Sequence, residues 1–507
     1  MMPGRIFAFF TLTILLTGCI NMSTRVDVSY KEDFRPQFHY SPPCRWMNDP
    51  NGMVYHNGEY HLFYQFHPGG LTWGPMHWGH AVSRDLVHWE TLPIALYPDD
   101  NGTIWSGSVV VDHNNTAGFG EGALVAFFSY HTQTQGIAYS TDDGRTWTMY
   151  EDNPVLDALA PDFRDPKVFW HEASQRWVAP ISAGLGVEFF VSENLRDWEF
   201  ASRFAGGQVT ATWEVPDLFP LEINGETKWV LLMSVSRMAP ATGSGIQYFI
   251  GDFDGTTFTN DYPLEVLWLD YGPDNYAGTI WSNAPQDRRI YIGWMNNWLY
   301  AEHIPTTPWR GATTLPRELS LVETSAGIRL TQQPIPELQA LREPLGGWND
   351  IALTGPMPLD GIKGRTLEII AEFEVGNAER VGIAVHQGDE TDGTRILFNS
   401  QFNQLVVNRT AELNDIPIHN DFNPAFGSPI TLENNLLRLH IFVDESSVEV
   451  FANDGSVVIT SQTFVNSAAD GISLFAENGE ATLRHMEIYA LRSIWESQAS
   501  ADHDFCR

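Results

Sequence analysis

The sequence predicts an all-β protein, a five-bladed β-propeller followed by a C-terminal β-sandwich, and three observations carry that prediction. From about residue 40 to 330 the chain is short β-type runs between turn residues, with no long stretch of helical periodicity. One kind of strand recurs five times, at Tyr60–Phe66, Leu124–Tyr130, Trp177–Ala183, Trp229–Val235 and Ile290–Asn296, with starts 64, 53, 52 and 61 residues apart. After each of the first four comes a second strand ending in a polar turn and an aromatic, closed by Trp89, Trp147, Trp198 and Phe258; a degenerate fifth copy lies around Leu319–Val322. A multi-strand repeat of this length is the mark of propeller blades.

Taken in order, the chain begins with Arg5 and an apolar run from Ile6 to Leu16, too short to span a membrane and expected to be a secretory signal over 1–18. Leu16-Thr17-Gly18-Cys19 resembles a bacterial lipoprotein processing box, in which Cys19 would carry lipid; ordinary cleavage nearby is the alternative. Either way the mature protein is expected outside the cell or on its surface, with a lipid on Cys19 as its one membrane attachment. The propeller is expected over 33–332 and a proline-rich linker over 333–348. Alternating polar and apolar runs then predict the sandwich over 349–495, before a polar tail at 496–507. Cys44 and Cys506 can pair in an oxidising compartment, although spacing does not show that they meet.

With 18 Trp and 30 Phe the chain has ample material for packed cores. Its 29 Lys and Arg stand against 63 Asp and Glu, a net charge of −34 that repels polyanions and sets nucleic acid aside as a partner.

Blade geometry points to the chemistry. The innermost strand of each blade lines the central channel, so its residues should precede each recurring strand by a similar interval. At that offset stand Asp49, Ser106, Asp165, Glu214 and Tyr276. Three of the five are acids, each beside Asn, Arg or Trp and close to Pro. Acids crowded into one funnel must be paired or partly protonated, and separating their pKa values turns one into an acid and another into a nucleophile. No metal is expected: His56, His61, His67, His77, His80 and His88 have no recognised ligand spacing. No glycine-rich phosphate loop precedes a helix, and no cofactor is expected.

Trp46-Met-Asn-Asp-Pro-Asn-Gly52, Trp105-Ser-Gly-Ser108, Phe163-Arg-Asp-Pro166 and Trp213-Glu-Val-Pro-Asp217, in this order, resemble the motif set of glycoside hydrolase family 32, the invertases, inulinases and levanases. The resemblance extends to Phe442-Val-Asp-Glu-Ser-Ser-Val-Glu-Val-Phe451 in the second domain. It implies a propeller followed by a sandwich, and hydrolysis with retention and without metal or organic cofactor. It also implies Asp49 as nucleophile, Glu214 as acid/base and Asp165 as stabiliser of the transition state. By the same resemblance Asn48, Gln65, Trp73, Trp105, Ser106, Arg164 and Trp309 line a fructosyl subsite, joined by Asp217, Tyr276 and Trp298. Where family members often carry Cys after the acid/base Glu, this chain has Val215; Cys44 just upstream of the nucleophile is a second departure.

The runs Gly69–His80 and Pro305–Thr314 are most similar to bacterial exo-acting levanases and exo-inulinases. The expected substrates are therefore levan, inulin and sucrose, cleaved at the terminal fructosyl unit. An endo-fructanase or a fructosyltransferase of the same family is the alternative. Two other classes stay open: a sialidase-like propeller, from the Asp-box pattern Ser140–Trp147, and a non-catalytic fructan-binding protein.

Overall fold

A computed structural model describes residues 28–157, 160–207, 209–388, 393–409, 418–495 and 506. The expected signal, Cys19 and all of the tail except Cys506 lie outside the described residues. Five small antiparallel sheets follow one another along the first part of the chain, and two six-stranded sheets follow them. The recurring strand foreseen from the repeats is the second strand of every small sheet: Glu59–His67, Ala123–Tyr130, Arg176–Ala183, Glu226–Val235 and Ile290–Trp294. The innermost strands, Arg45–His56, Ile104–Asp112, Phe163–Arg164, Trp213–Ile223 and Tyr276–Ile280, neighbour one another in a closed ring. Trp309–Arg310, from the fifth sheet's loop, pairs in parallel with Arg45–Trp46 of the first and ties the ring shut.

Blades adhere through large apolar side chains because each sheet is sandwiched by its neighbours. Phe63, Trp78, Val109, Leu124 and Phe128 fill one inter-blade layer, and Trp213, Phe189, Leu231 and Phe249 fill another. Each such side chain contributes about 1.5–3 kcal/mol on burial. The polar turns that closed each repeat are structural: Asp85, Asp142, Asn194 and Asp254 each accept backbone N–H groups two to four residues on. The Ser140–Trp147 box is one of these turns.

The residues expected as a linker hold a 3-10 helix, Pro336–Leu341, and by Arg342 the chain has entered the first sandwich strand, Arg342–Leu353. The sandwich core is the interior of its two sheets, among them Ile369, Phe373, Ile383, Phe398 and Ile441. Phe442, Phe451 and Val458 instead turn toward the propeller, against Phe38, Tyr40 and Leu315. Between those contacts lies a charged cluster: Asp444 and Glu449 accept from His39 at 2.7 and 2.9 Å, and Arg317 reaches Glu449 at 2.6 Å. Cys44 and Cys506 form a disulfide.

Candidate active site

Every innermost strand carries one extra residue at the same height. Asn48 and Asp49 oppose the single Gln65, and Trp105 and Ser106 oppose Ser129. Val215 and Pro216 oppose Met233, while Ala277 and Gly278 oppose Gly293. In the third blade the four residues Asp165 to Val168 span three on the partner strand. A bulge leaves a residue unpaired and re-aims its side chain. Asp165, Val215 and Ala277 take φ of 62°, 48° and 52°, a conformation that L-residues adopt only where the surroundings hold it. At Gly278 no larger residue fits, since a Cβ would lie 2.0 Å from the Tyr291 hydroxyl.

These bulges bring Asp49, Asp165 and Glu214 to one cavity of about 240 Å³. Around them stand Asn48, Gln65, Trp73, Trp105, Ser106, Arg164, Tyr276 and Trp298, all foreseen from the sequence. Asp49 accepts from Asn48 Nδ2 at 3.0 Å and Ser106 Oγ at 2.8 Å. The Asn48 amide is held in turn, its oxygen taking the Trp46 indole N–H at 2.8 Å, so its NH2 must face Asp49. Burial pushes the Asp49 carboxyl above its ordinary value, and the two donors oppose that rise.

Arg164 ties the other two acids together. Its guanidinium donates to Glu214 at 2.6 Å and Asp162 at 2.9 Å, and lies 3.7 Å from Asp165. Glu214 also accepts from the Tyr276 hydroxyl. Burial raises Glu214, with Arg164 pulling the other way. Asp165 is pushed up to about 7, first by burial and then by Glu214 and Asp49, against the pull of Arg164. The crowding of three buried acids thus makes the cluster easier to protonate than three isolated carboxyls would be. Gln65 Nε2 is buried without a partner, a donor left for a ligand oxygen.

Two expected residues do not line this cavity. Asp217, three positions beyond Glu214, is fully buried, 3.2 Å from Lys167 Nζ and accepting from Ile280 N–H at 2.7 Å. Its bonds join three blades. Trp309 is a core residue, 2% exposed and stacked under the Arg35 guanidinium at 4.7 Å. Its indole belongs to the strand that shuts the ring. Trp73 and Trp298, by contrast, are 45% and 37% exposed and stand at the cavity mouth.

Sequence reasoning missed Gln133 and Asp162, which also line the cavity. Asp162 could have been found, being the acid two residues ahead of Arg164. Gln133 sits in a turn of the second blade, and nothing in its local sequence singles it out. The six clustered histidines are scattered: His61 meets His80 in the core at 3.0 Å, while His56 and His88 bond surface Asp143 and Asp85.

Comparison with known proteins agrees with this geometry. Residues 39–334 match the model for the glycosyl hydrolases family 32 N-terminal domain, and 337–490 match that for the family 32 C terminal. A levanase of Bacillus subtilis (strain 168) is 46% identical, covering 95% of this chain and 74% of its own. An extracellular exo-inulinase of Aspergillus awamori is 37% identical, over 92% of this chain and 96% of its own. The crystal structure of exo-inulinase from Aspergillus awamori superposes with a TM-score of 0.86 at 36% identity, covering 92% and 100% of the two chains. A β-fructofuranosidase of Schwanniomyces occidentalis, complexed with fructosyl-erythritol, superposes at 0.84 with 30% identity over 92% and 99%. With propeller and sandwich each matched along its length, and the three carboxylates gathered at the motif positions, the chain belongs to glycoside hydrolase family 32.

Proposed function

We propose that this protein is a retaining exo-β-fructosidase that releases fructose from the non-reducing ends of levan and inulin and from sucrose. The observation that carries the reading is the convergence of Asp49, Asp165 and Glu214, from three different blades, on one small cavity. A volume below the roughly 300 Å³ at which pockets for drug-sized ligands begin favours one terminal sugar over a threaded polymer.

Glu214 starts protonated, which its burial supports, and donates to the glycosidic oxygen while Asp49 attacks C2 through an oxocarbenium-like transition state. Glu214 then serves as base for the water that frees fructose. Retention requires the two carboxyls to be about 5 Å apart when substrate is bound. Asp165 binds fructosyl hydroxyls and stabilises positive charge, since Arg164 and the Val215 N–H at 3.2 Å hold it away from attack. Gln65 and Asn48 are hydroxyl partners, and Trp73 and Trp298 are walls for the sugar rings. Asp162 and Gln133 are placed to meet the departing unit. The relatives named as levanase and extracellular exo-inulinase support both the substrate class and export; lipid on Cys19 would keep the enzyme at the surface.

A time course of products from levan, inulin and sucrose, with Glu214→Gln alongside, tests the reading. Fructose alone from the first time point, abolished by the substitution, is expected. Early oligosaccharides would point to an endo-enzyme or a transferase, and binding without any release would leave only a fructan-binding protein.

A further inference from the structure

The junction between the two domains reaches the acid/base. Strand Val457–Gln462 is the edge of one sandwich sheet, and a free edge of that kind needs cover. The propeller segment just ahead of Tyr276 covers it. Tyr271 N–H donates to Val458 O at 2.9 Å and Asp274 N–H to Thr460 O at 3.3 Å. Asp270 accepts from Thr460 N–H and Oγ1 at 2.9 and 2.6 Å. The approach is so close that a Cβ on Gly272 would lie 2.1 Å from Thr460 O.

One charge from the sandwich is buried in this seam. Arg409 has no exposed surface; its Nη1 lies 3.2 Å from Asp274 Oδ2 and donates to Gln462 O at 2.6 Å. Its guanidinium sits 3.4 Å above the Phe422 ring. Asp274 also accepts from the Tyr300 hydroxyl at 2.6 Å and Gln462 N–H at 2.8 Å. Both carboxylate oxygens are engaged, so the backbone there has one position. Two residues on is Tyr276, whose hydroxyl donates to Glu214.

We propose that Arg409 and Asp274 are positioning residues for the acid/base, so that the sandwich takes part in catalysis by fixing where Tyr276 presents its hydroxyl to Glu214. The proposal rests on Glu214 being the proton donor. A carboxyl offers about four acceptor sites, and Arg164 and Tyr276 occupy one on each oxygen, which sets its plane. A general acid must reach the leaving oxygen within about 2.6–3.2 Å, and a displacement of 1 Å costs on the order of 100-fold. Neither Arg409 nor Asp274 lines the cavity, so substrate affinity does not depend on them directly.

The test compares two leaving groups. Sucrose departs as an alkoxide and needs the proton, whereas a nitrophenyl β-fructofuranoside departs as a stable phenolate and does not. Arg409→Lys, shown by circular dichroism to be folded, is expected to lower kcat/KM on sucrose about tenfold and to alter kcat/KM on the nitrophenyl substrate less than about twofold, since that parameter ends with departure of the leaving group and leaves out the later release of fructose, in which Glu214 is the base. In a Tyr276→Phe background it should add nothing further. Equal losses on both substrates, no loss on either, or additive losses with Tyr276→Phe would overturn the proposal. If Arg409→Lys does not fold, Tyr300→Phe, which removes one bond to Asp274, carries the same comparison with a smaller selective loss expected. Glu214→Gln is the control: if it fails to discriminate between the substrates, the assignment of the acid falls, separately from the role of the junction.

Discussion

Replacing Ser106 by alanine removes one of the two neutral donors that hold Asp49 ionised, the hydroxyl 2.8 Å from its Oδ2. Burial already lifts this carboxyl above its ordinary value, and the Asn48 and Ser106 bonds counter the lift. A hydrogen bond to a charged acceptor contributes about 1.5–3 kcal/mol, and one pKa unit corresponds to about 1.4 kcal/mol. Full loss of the bond would therefore raise Asp49 by about one to two units. Because the carboxylate is open to the cavity, water replaces part of the bond, and about one unit is the expectation. The sign follows from the role. The nucleophile attacks as the anion, so a higher pKa moves the acidic limb of kcat/KM toward neutrality and leaves the rate above that limb within a few-fold. The assay is kcat/KM for sucrose across the acidic range in both proteins, since that parameter titrates the free enzyme. An acidic limb that stays in place, or moves to lower pH, would refute the assignment of Asp49 or of its partner.

Two further predictions concern stability. Asp165 is protonated more readily when folded, up to about 7, than a free carboxyl, so the folded state holds the extra proton and its stability falls as pH rises from about 4 to about 7. Asp165→Asn should abolish turnover yet raise the stability near pH 7 by up to about 4 kcal/mol, read as a higher melting temperature, with the gain vanishing near pH 4; a gain that does not depend on pH would contradict this. His39 is raised to about 9 by Asp444 and Glu449, which outweigh its burial. Its stabilisation is present below about 6.5 and lost as pH climbs through about 9, so the protein should lose up to about 3 kcal/mol over that window. His39→Gln should flatten the decline in a thermal melt series, and an unchanged slope would show that the cluster is not what titrates.

The three carboxylates of the cavity were legible because blades repeat. Each repeat carries the same strand at a similar offset, so counting back 11, 12 and 15 residues from Tyr60, Trp177 and Trp229 lands on Asp49, Asp165 and Glu214 without any knowledge of contacts. Asp217 came from the motif it shares with Glu214 and not from the count, and three further residues along the strand set it against Lys167. Trp309 makes the corresponding point for aromatics: with 18 Trp in the chain, ring identity does not separate the exposed mouth from the buried seam. Gln133 escaped because a turn glutamine has no periodicity to betray it.

What the sequence determined by itself was what local rules encode: the strand repeats, the short motifs with their acids, and the alternation that makes a sandwich. What only the tertiary structure decided was which residues from distant repeats meet. One added residue per inner strand turns five side chains toward a common cavity, Cys44 finds Cys506, and Arg409 reaches Asp274 across a domain boundary. Periodicity is a property of neighbours along the chain, whereas closure of the ring and docking of the sandwich are set by packing between surfaces that no spacing records.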